Sequence, residues 1–161
     1  MSKILLADIQ KARVPKMYLT KKVKWCSEFW KKGDLLLWHD RYGKRRSAAL
    51  SAFVLHGLAT KKKSLYLTEN DLLDAYSSSF GGDVDTWNEV LRADLLVIDS
   101  ADGALASRNL TRSLFLAMEH FVNKGARMVL GMSLVDNDIE AFYGESASIV
   151  LREHFVKVSP L

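Results

Sequence analysis

Two kinds of apolar pattern alternate along this chain of 161 residues. The first is the short run of the strand type: "DLLLW" (34–38), "SLYLT" (64–68), "DLLVID" (94–99), "ARMVLGM" (126–132) and "FVKVS" (155–159). "DLLLW", "DLLVID" and "ARMVLGM" are close to continuously apolar, the pattern of strands buried on both faces. The second kind is longer and has helical spacing. "MSKILLADIQKAR" predicts a short amphipathic helix that stops before Val14-Pro15, because a residue preceding proline avoids the helical region. "TKKVKWCSEFWKKG" predicts another, with Thr20 as cap, Val23, Cys26, Phe29 and Trp30 on one side, and Gly33 as terminator.

Helical segments also separate the strands. "SAALSAFVLHGLA" (47–59) presents small residues on its packing side. "ENDLLDAYSSSF" opens with the capping chemistry of Thr68 and Asp71, and "SSSFGGD" (77–83) reads as the loop that ends it. "TWNEVLRA" is a short helix, and "SRNLTRSLFLAMEHFVNKG" is a long amphipathic one with Gly125 past its end. "VDNDIEAFYG" and "SASIVLREH" are two further helices. Strands alternating with helices predict one α/β domain with a parallel sheet covered on both faces.

Composition narrows the class. An apolar fraction of 48% is that of a globular chain. No run approaches the 18 apolar residues of a membrane span, and the first residues lack a signal peptide's pattern, so the expectation is a soluble, cytoplasmic protein. The lone Cys26 fits a packed thiol in a reducing compartment. The four histidines show no i, i+4 pairing and have no second cysteine, which excludes a zinc centre as the expectation. No nucleophile-elbow motif is present, so no catalytic residue is assigned. The charge is +4, from 23 basic and 19 acidic residues, and it is unevenly spread. Cations crowd residues 21–32, 41–46 and 61–63, a distribution suited to phosphate backbones, to an acidic partner, or to a solvated surface.

The chemistry concentrates in "DLLLWHDRYGKRRSAAL" (34–50). A phosphate-binding loop has the form G-x-x-x-x-G-K-[ST] between strand and helix, with backbone N–H groups and the lysine on phosphates and the hydroxyl on magnesium. Counting back from Gly43-Lys44 puts Trp38 at the first glycine and Arg45 at the hydroxyl. Glycine serves there because the loop needs positive φ and close backbone approach. The strand ending in Asp99 adds the position of a magnesium ligand, but Ser100 follows where an acid would activate water. On the residues alone, Lys44 is either a phosphate contact or a solvated helix-start lysine. Asp99 is likewise either a metal ligand or a carboxylate capping the next turn. Trp38 would fill the space in which phosphates sit.

The order of these segments resembles the DnaC/IstB-like branch of the AAA+ ATPases, which includes helicase loaders and transposition helpers. The similarity runs from about Val14 to the end. It is carried by "VPKMY", "SLYLTENDLLDAY", "RADLLVIDS", "LFLAMEHFVNKGARMVLGMSL" and "IEAFYGESASIVLREHFVKV". The resemblance implies an AAA+ type P-loop fold with a five-stranded, mostly parallel sheet and helices on both faces. It also implies a division into a helical extension (1–33) and a core (34–161) with no C-terminal helical lid. Gly43, Lys44 and Asp99 then hold vestigial nucleotide and magnesium positions, and Ser133 stands at the polar sensor. "YGESASIVLRE" lacks the arginine that the family directs at a neighbouring subunit, leaving Arg152 as a displaced substitute.

The expected function is a non-hydrolysing adaptor or subunit in DNA replication, helicase loading or transposition. No cofactor is expected, with ATP and magnesium as the alternative. The partners implied are DNA, a replicative helicase or an AAA+ homologue, in a homo- or hetero-oligomer. Arg41, Lys44, Arg45 and Arg46 are the candidate nucleic-acid contacts, since four cations fall within six positions. The alternatives are a weak ATPase using Lys44 and Asp99, and a protein-interaction module on an AAA+ scaffold.

Overall fold

A computed structural model describes residues 26–39, 46–99, 108–134 and 136–158. Its elements are helical turn α1 (26–30), β1 (Leu35–His39), α2 (Arg46–Ala59), β2 (Ser64–Thr68), α3 (Glu69–Phe80), α4 (Asp85–Leu91), β3 (Leu95–Asp99), α5 (Arg108–Lys124), β4 (Arg127–Met132), α6 (Asp136–His154) and β5 (Val156–Val158). The strands form one sheet in the order β2-β3-β4-β1-β5. Every pair of neighbours is parallel. The five expected strands are present within a residue or two, and the sheet is wholly rather than mostly parallel.

Alternation along the strands builds two cores. Leu36, Trp38, Leu95, Val97 and Val129 face α2 and α1, where Leu50, Phe53, Cys26 and Trp30 meet them. Leu37, Leu96, Ile98, Met128 and Leu130 face the opposite layer, formed by residues of α3, α5 and α6. Burying a side chain of this size stabilises by about 1.5–3 kcal/mol, and a one-residue slip would turn each strand's whole set over, so the register is firmly held. The odd-numbered residues of β3 lie on the α2 side, and this parity carries Asp99 there too.

Local chemistry sets the helix ends. The Thr68 hydroxyl accepts from the Asp71 N–H while the Asp71 carboxylate accepts from the Thr68 N–H, the reciprocal capping box expected. Gly125 takes a left-handed φ of 68° one residue past α5. Gly144 has φ 85° and ψ 168° inside α6, a conformation reserved to glycine, and it divides that segment into the two helices expected. The α3 boundary differs from expectation. Ser77–Ser79 are helical rather than loop, because Tyr76 packs edge-on against Phe80 and Trp87 at 4.8 and 5.2 Å. That packing outweighs the weak helix preference of serine.

The connection from β1 to β2 runs through α2 on one face, and the later connections run on the other. With right-handed crossovers, reversing the direction of travel along a sheet requires this change of face. The carboxyl ends of β1, β3 and β4 therefore border the crevice where open parallel sheets place ligands.

Candidate functional site

The crevice is entered by two residues from the start of α2. Arg46 is its first residue, and no acid lies in its first turn. An acid arrives instead from the carboxyl end of β3, across 53 positions of sequence. Asp99 is 2% exposed, and its Oδ1 accepts a hydrogen bond of 2.9 Å from Arg46 Nε. Its Oδ2 accepts from the hydroxyl of Ser47 at 2.5 Å and from the hydroxyl of Tyr66. The carboxylate thus meets the positive end of the α2 dipole together with a guanidinium and two O–H donors.

Packing holds the cluster in place. Gly131 of β4 pairs with Trp38 of β1, and α2 lies directly over it. A Cβ at Gly131 would stand 2.4 Å from Leu50 Cδ1 and 3.3 Å from Arg46 Cδ. The missing side chain is therefore the space through which the Arg46 stem reaches Asp99. On the other side of Asp99, burial and then the hydrogen bond to Asp99 push the Tyr66 phenol far above its ordinary pKa, so it stays protonated and donating.

This geometry settles where several expected residues lie. Arg46, expected beside a phosphate backbone, is 7% exposed and turned inward onto Asp99. Trp38 differs from expectation. It belongs to β1, is 2% exposed, and packs edge-on against Phe29 and Phe53 at 5.2 and 5.7 Å. Its indole fills the α2-side core rather than a phosphate space. Asp99 stands at the strand end as expected, and Ser133 directly follows β4, half-buried. Arg41, Gly43, Lys44, Arg45 and Ser100 lie outside the described residues.

Tyr66, Ser47 and Gly131 were not singled out from the sequence, although each left a signal. Tyr66 shares the parity of Asp99 on an adjacent strand, with Thr68 opposite Asp99. Ser47 is a hydroxyl two positions beyond the one inspected. Gly131 interrupts an otherwise apolar strand, a mark of close approach by another element.

A divalent cation at Asp99 would have to displace the Arg46 guanidinium. Leaving one member of a buried ion pair without its partner costs about 3–5 kcal/mol, or on the order of 10²-fold or more in cation affinity. As arranged, the described residues do not fit a magnesium ion at this carboxylate. Among them, no group of three or more His, Cys, Asp or Glu could hold a metal. No helix formed by the described residues is long and apolar enough to cross a membrane.

The chain matches no protein-family model and no curated protein sequence. Solved structures do match it. AMPPCP-bound DnaA from Aquifex aeolicus superposes with a TM-score of 0.68 at 16% identity, over 86% of this chain and 44% of that one. The DnaC helicase loader gives 0.65 at 14% identity, covering 79% and 77% of the two chains. DnaI gives 0.62 at 15% identity, covering 91% and 94%. This chain therefore spans less than half the length of that DnaA. The α/β fold with its five-stranded parallel sheet is similar to that of DnaC and DnaA and consistent with the AAA+ type P-loop fold expected.

Proposed function

We propose that this AAA+-fold chain acts as a non-hydrolysing adaptor or subunit in replication initiation or helicase loading. It would engage DNA, a helicase or an AAA+ homologue instead of turning over nucleotide. The observation that carries the reading is the Asp99 carboxylate, which takes its cation from Arg46 and further donors from Ser47 and Tyr66. Phosphoryl transfer on such a fold depends on a metal ion that neutralises developing charge between the phosphates. An internal guanidinium does not travel with the substrate, so it stabilises the apoprotein and contributes nothing to the transfer. The likeness in fold to DnaA, DnaC and DnaI supports the process, and the engaged carboxylate supports the loss of hydrolysis.

The test is a fluorescence titration with an N-methylanthraniloyl ATP analogue, in magnesium and in EDTA, with Lys44→Ala alongside. The expected result is weak binding with no gain from magnesium and no phosphate release. Micromolar, magnesium-dependent binding together with phosphate release in a parallel assay, both abolished by Lys44→Ala, would overturn the proposal and establish the weak ATPase instead.

A further inference from the structure

In a parallel sheet wrapped by helices, all strands begin and the crossover helices end at one edge. Here that edge, opposite the Asp99 crevice, gathers much of the chain's positive charge. Lys61, Lys62 and Lys63 occupy the turn between α2 and β2, all exposed. Lys124 ends α5 and Arg127 opens β4. Arg92 follows α4, and Lys31 and Lys32 follow α1. Backbone bonds align the strand starts in a row: Asp94 N to Lys63 O at 2.8 Å, Arg127 N to Asp94 O at 3.2 Å, and Met128 N to Asp34 O at 3.0 Å. Lys124 Nζ donates to the carbonyls of Leu91 and Ala93, which flank Arg92. A cleft of about 560 Å³ opens in this strip, lined by His56, Thr60, Lys62, Lys124 and Arg127 among others.

Helix dipoles attract cations to helix C-termini, and that alone would account for roughly one cation per helix. The strip exceeds this. Its eight cations are accompanied at the strand starts by two carboxylates, Asp34 and Asp94, already engaged by Arg127 at 3.2 Å and by the Lys63 N–H at 2.8 Å, and the α6 end adds Arg152 and Glu153, whose charges cancel. Five helix ends contribute about −0.5 charge each, roughly −2.5 together, so an excess of between about three and four positive charges remains. Lys61–Lys63 and Arg127 moreover lie beyond the helices, where no dipole calls for them. Residues 64–91 contain six carboxylates and no lysine or arginine, so the charge stops at the α3–α4 side of the strip.

We infer that this strip binds the phosphodiester backbone of a nucleic acid. Naming a nucleic acid rather than an acidic protein rests on the replication reading above. The Trp30 ring carries the Arg127 guanidinium at 4.9 Å, so it is no free platform for a base. Binding here is by backbone charge, indifferent to sequence and steeply dependent on salt.

The experiment follows fluorescence anisotropy of a fluorescein-labelled 20-nucleotide oligothymidylate between 25 and 200 mM NaCl. It compares wild type with Lys61→Glu/Lys62→Glu/Lys63→Glu, which leaves the structural Lys124 and Arg127 intact, and with Arg41→Glu/Arg45→Glu in the sequence between β1 and α2. Circular dichroism melts check that both variants fold. The strip predicts a loss of at least about tenfold at 50 mM NaCl and a salt slope shallower by about 2 for the triple lysine variant, with the arginine variant unchanged. Equal affinity for wild type and the lysine variant, no wild-type binding, or a loss confined to the arginine variant would overturn it. So would polyglutamate displacing the oligonucleotide at equal charge concentration. The nucleotide titration reads the other edge. A positive result there removes the non-hydrolysing reading and leaves the strip, whereas an unaffected lysine variant removes the strip alone.

Discussion

Replacing Arg46 by methionine keeps most of the side-chain stem beneath Leu50 and beside Gly131 but removes the guanidinium from Asp99. The carboxylate, 2% exposed, would then keep the Ser47 and Tyr66 hydroxyls and lose its 2.9 Å ionic partner. Breaking a buried pair from one side costs about 3–5 kcal/mol, and the hydroxyl donors that remain place this case at the low end, about 3 kcal/mol. With a urea m-value of about 2 kcal/mol/M, the midpoint at pH 7.5 falls by about 1.5 M with m unchanged. Asp99→Asn should cost a comparable amount, since it leaves Arg46 buried without its counter-charge. The Arg46→Met/Asp99→Asn double variant should then recover at least about 2 kcal/mol of the summed losses. Followed by far-ultraviolet circular dichroism, this cycle isolates the pair from packing. Additivity within about 0.5 kcal/mol, or a loss below about 1 kcal/mol for Arg46→Met, would refute the claim that the pair organises the crevice.

Tyr66→Phe removes one donor to Asp99 and should cost about 1–2 kcal/mol at pH 8. Because the folded phenol titrates far above its unfolded value near 10, its contribution is intact below about pH 10 and drains away above it. The gap between wild-type and Tyr66→Phe urea midpoints should therefore narrow between pH 10 and 11.5, and a gap constant over that range would contradict the assignment. Gly144→Ala forces a side chain into φ 85°, ψ 168° and should cost about 1–3 kcal/mol in the same unfolding assay. A variant as stable as wild type would show that the break in α6 is not the conformation this segment requires.

The strands and most helix limits were legible because their causes are local. A continuous apolar run needs cover on both faces, a capping box satisfies its own N–H groups, and a glycine past a helix end supplies a left-handed φ. Gly125, Gly144 and the Thr68–Asp71 box are where the sequence places them. The α3 end was not legible, because the ring contacts of Tyr76 with Phe80 and Trp87 decide it, and serine by itself favours a loop. The crevice divided in the same way. Asp99 follows from its strand, whereas the direction of Arg46 does not follow from the run of cations around it.

By itself, the sequence determined the order of elements, the place of Asp99 at the end of its strand, and the mismatch of Trp38 and Arg45 with a phosphate loop. These follow from periods of 2 and 3.6 and from residue chemistry, which act over a few positions. The tertiary structure alone decided that Arg46 becomes the internal partner of Asp99. It also placed Trp38 in the core and brought Lys61–Lys63, Lys124 and Arg127 to one edge. The reason is that a charge acts through distance in space. Residues 53 positions apart meet only after sheet order and register have brought α2, β3 and the bare Gly131 together.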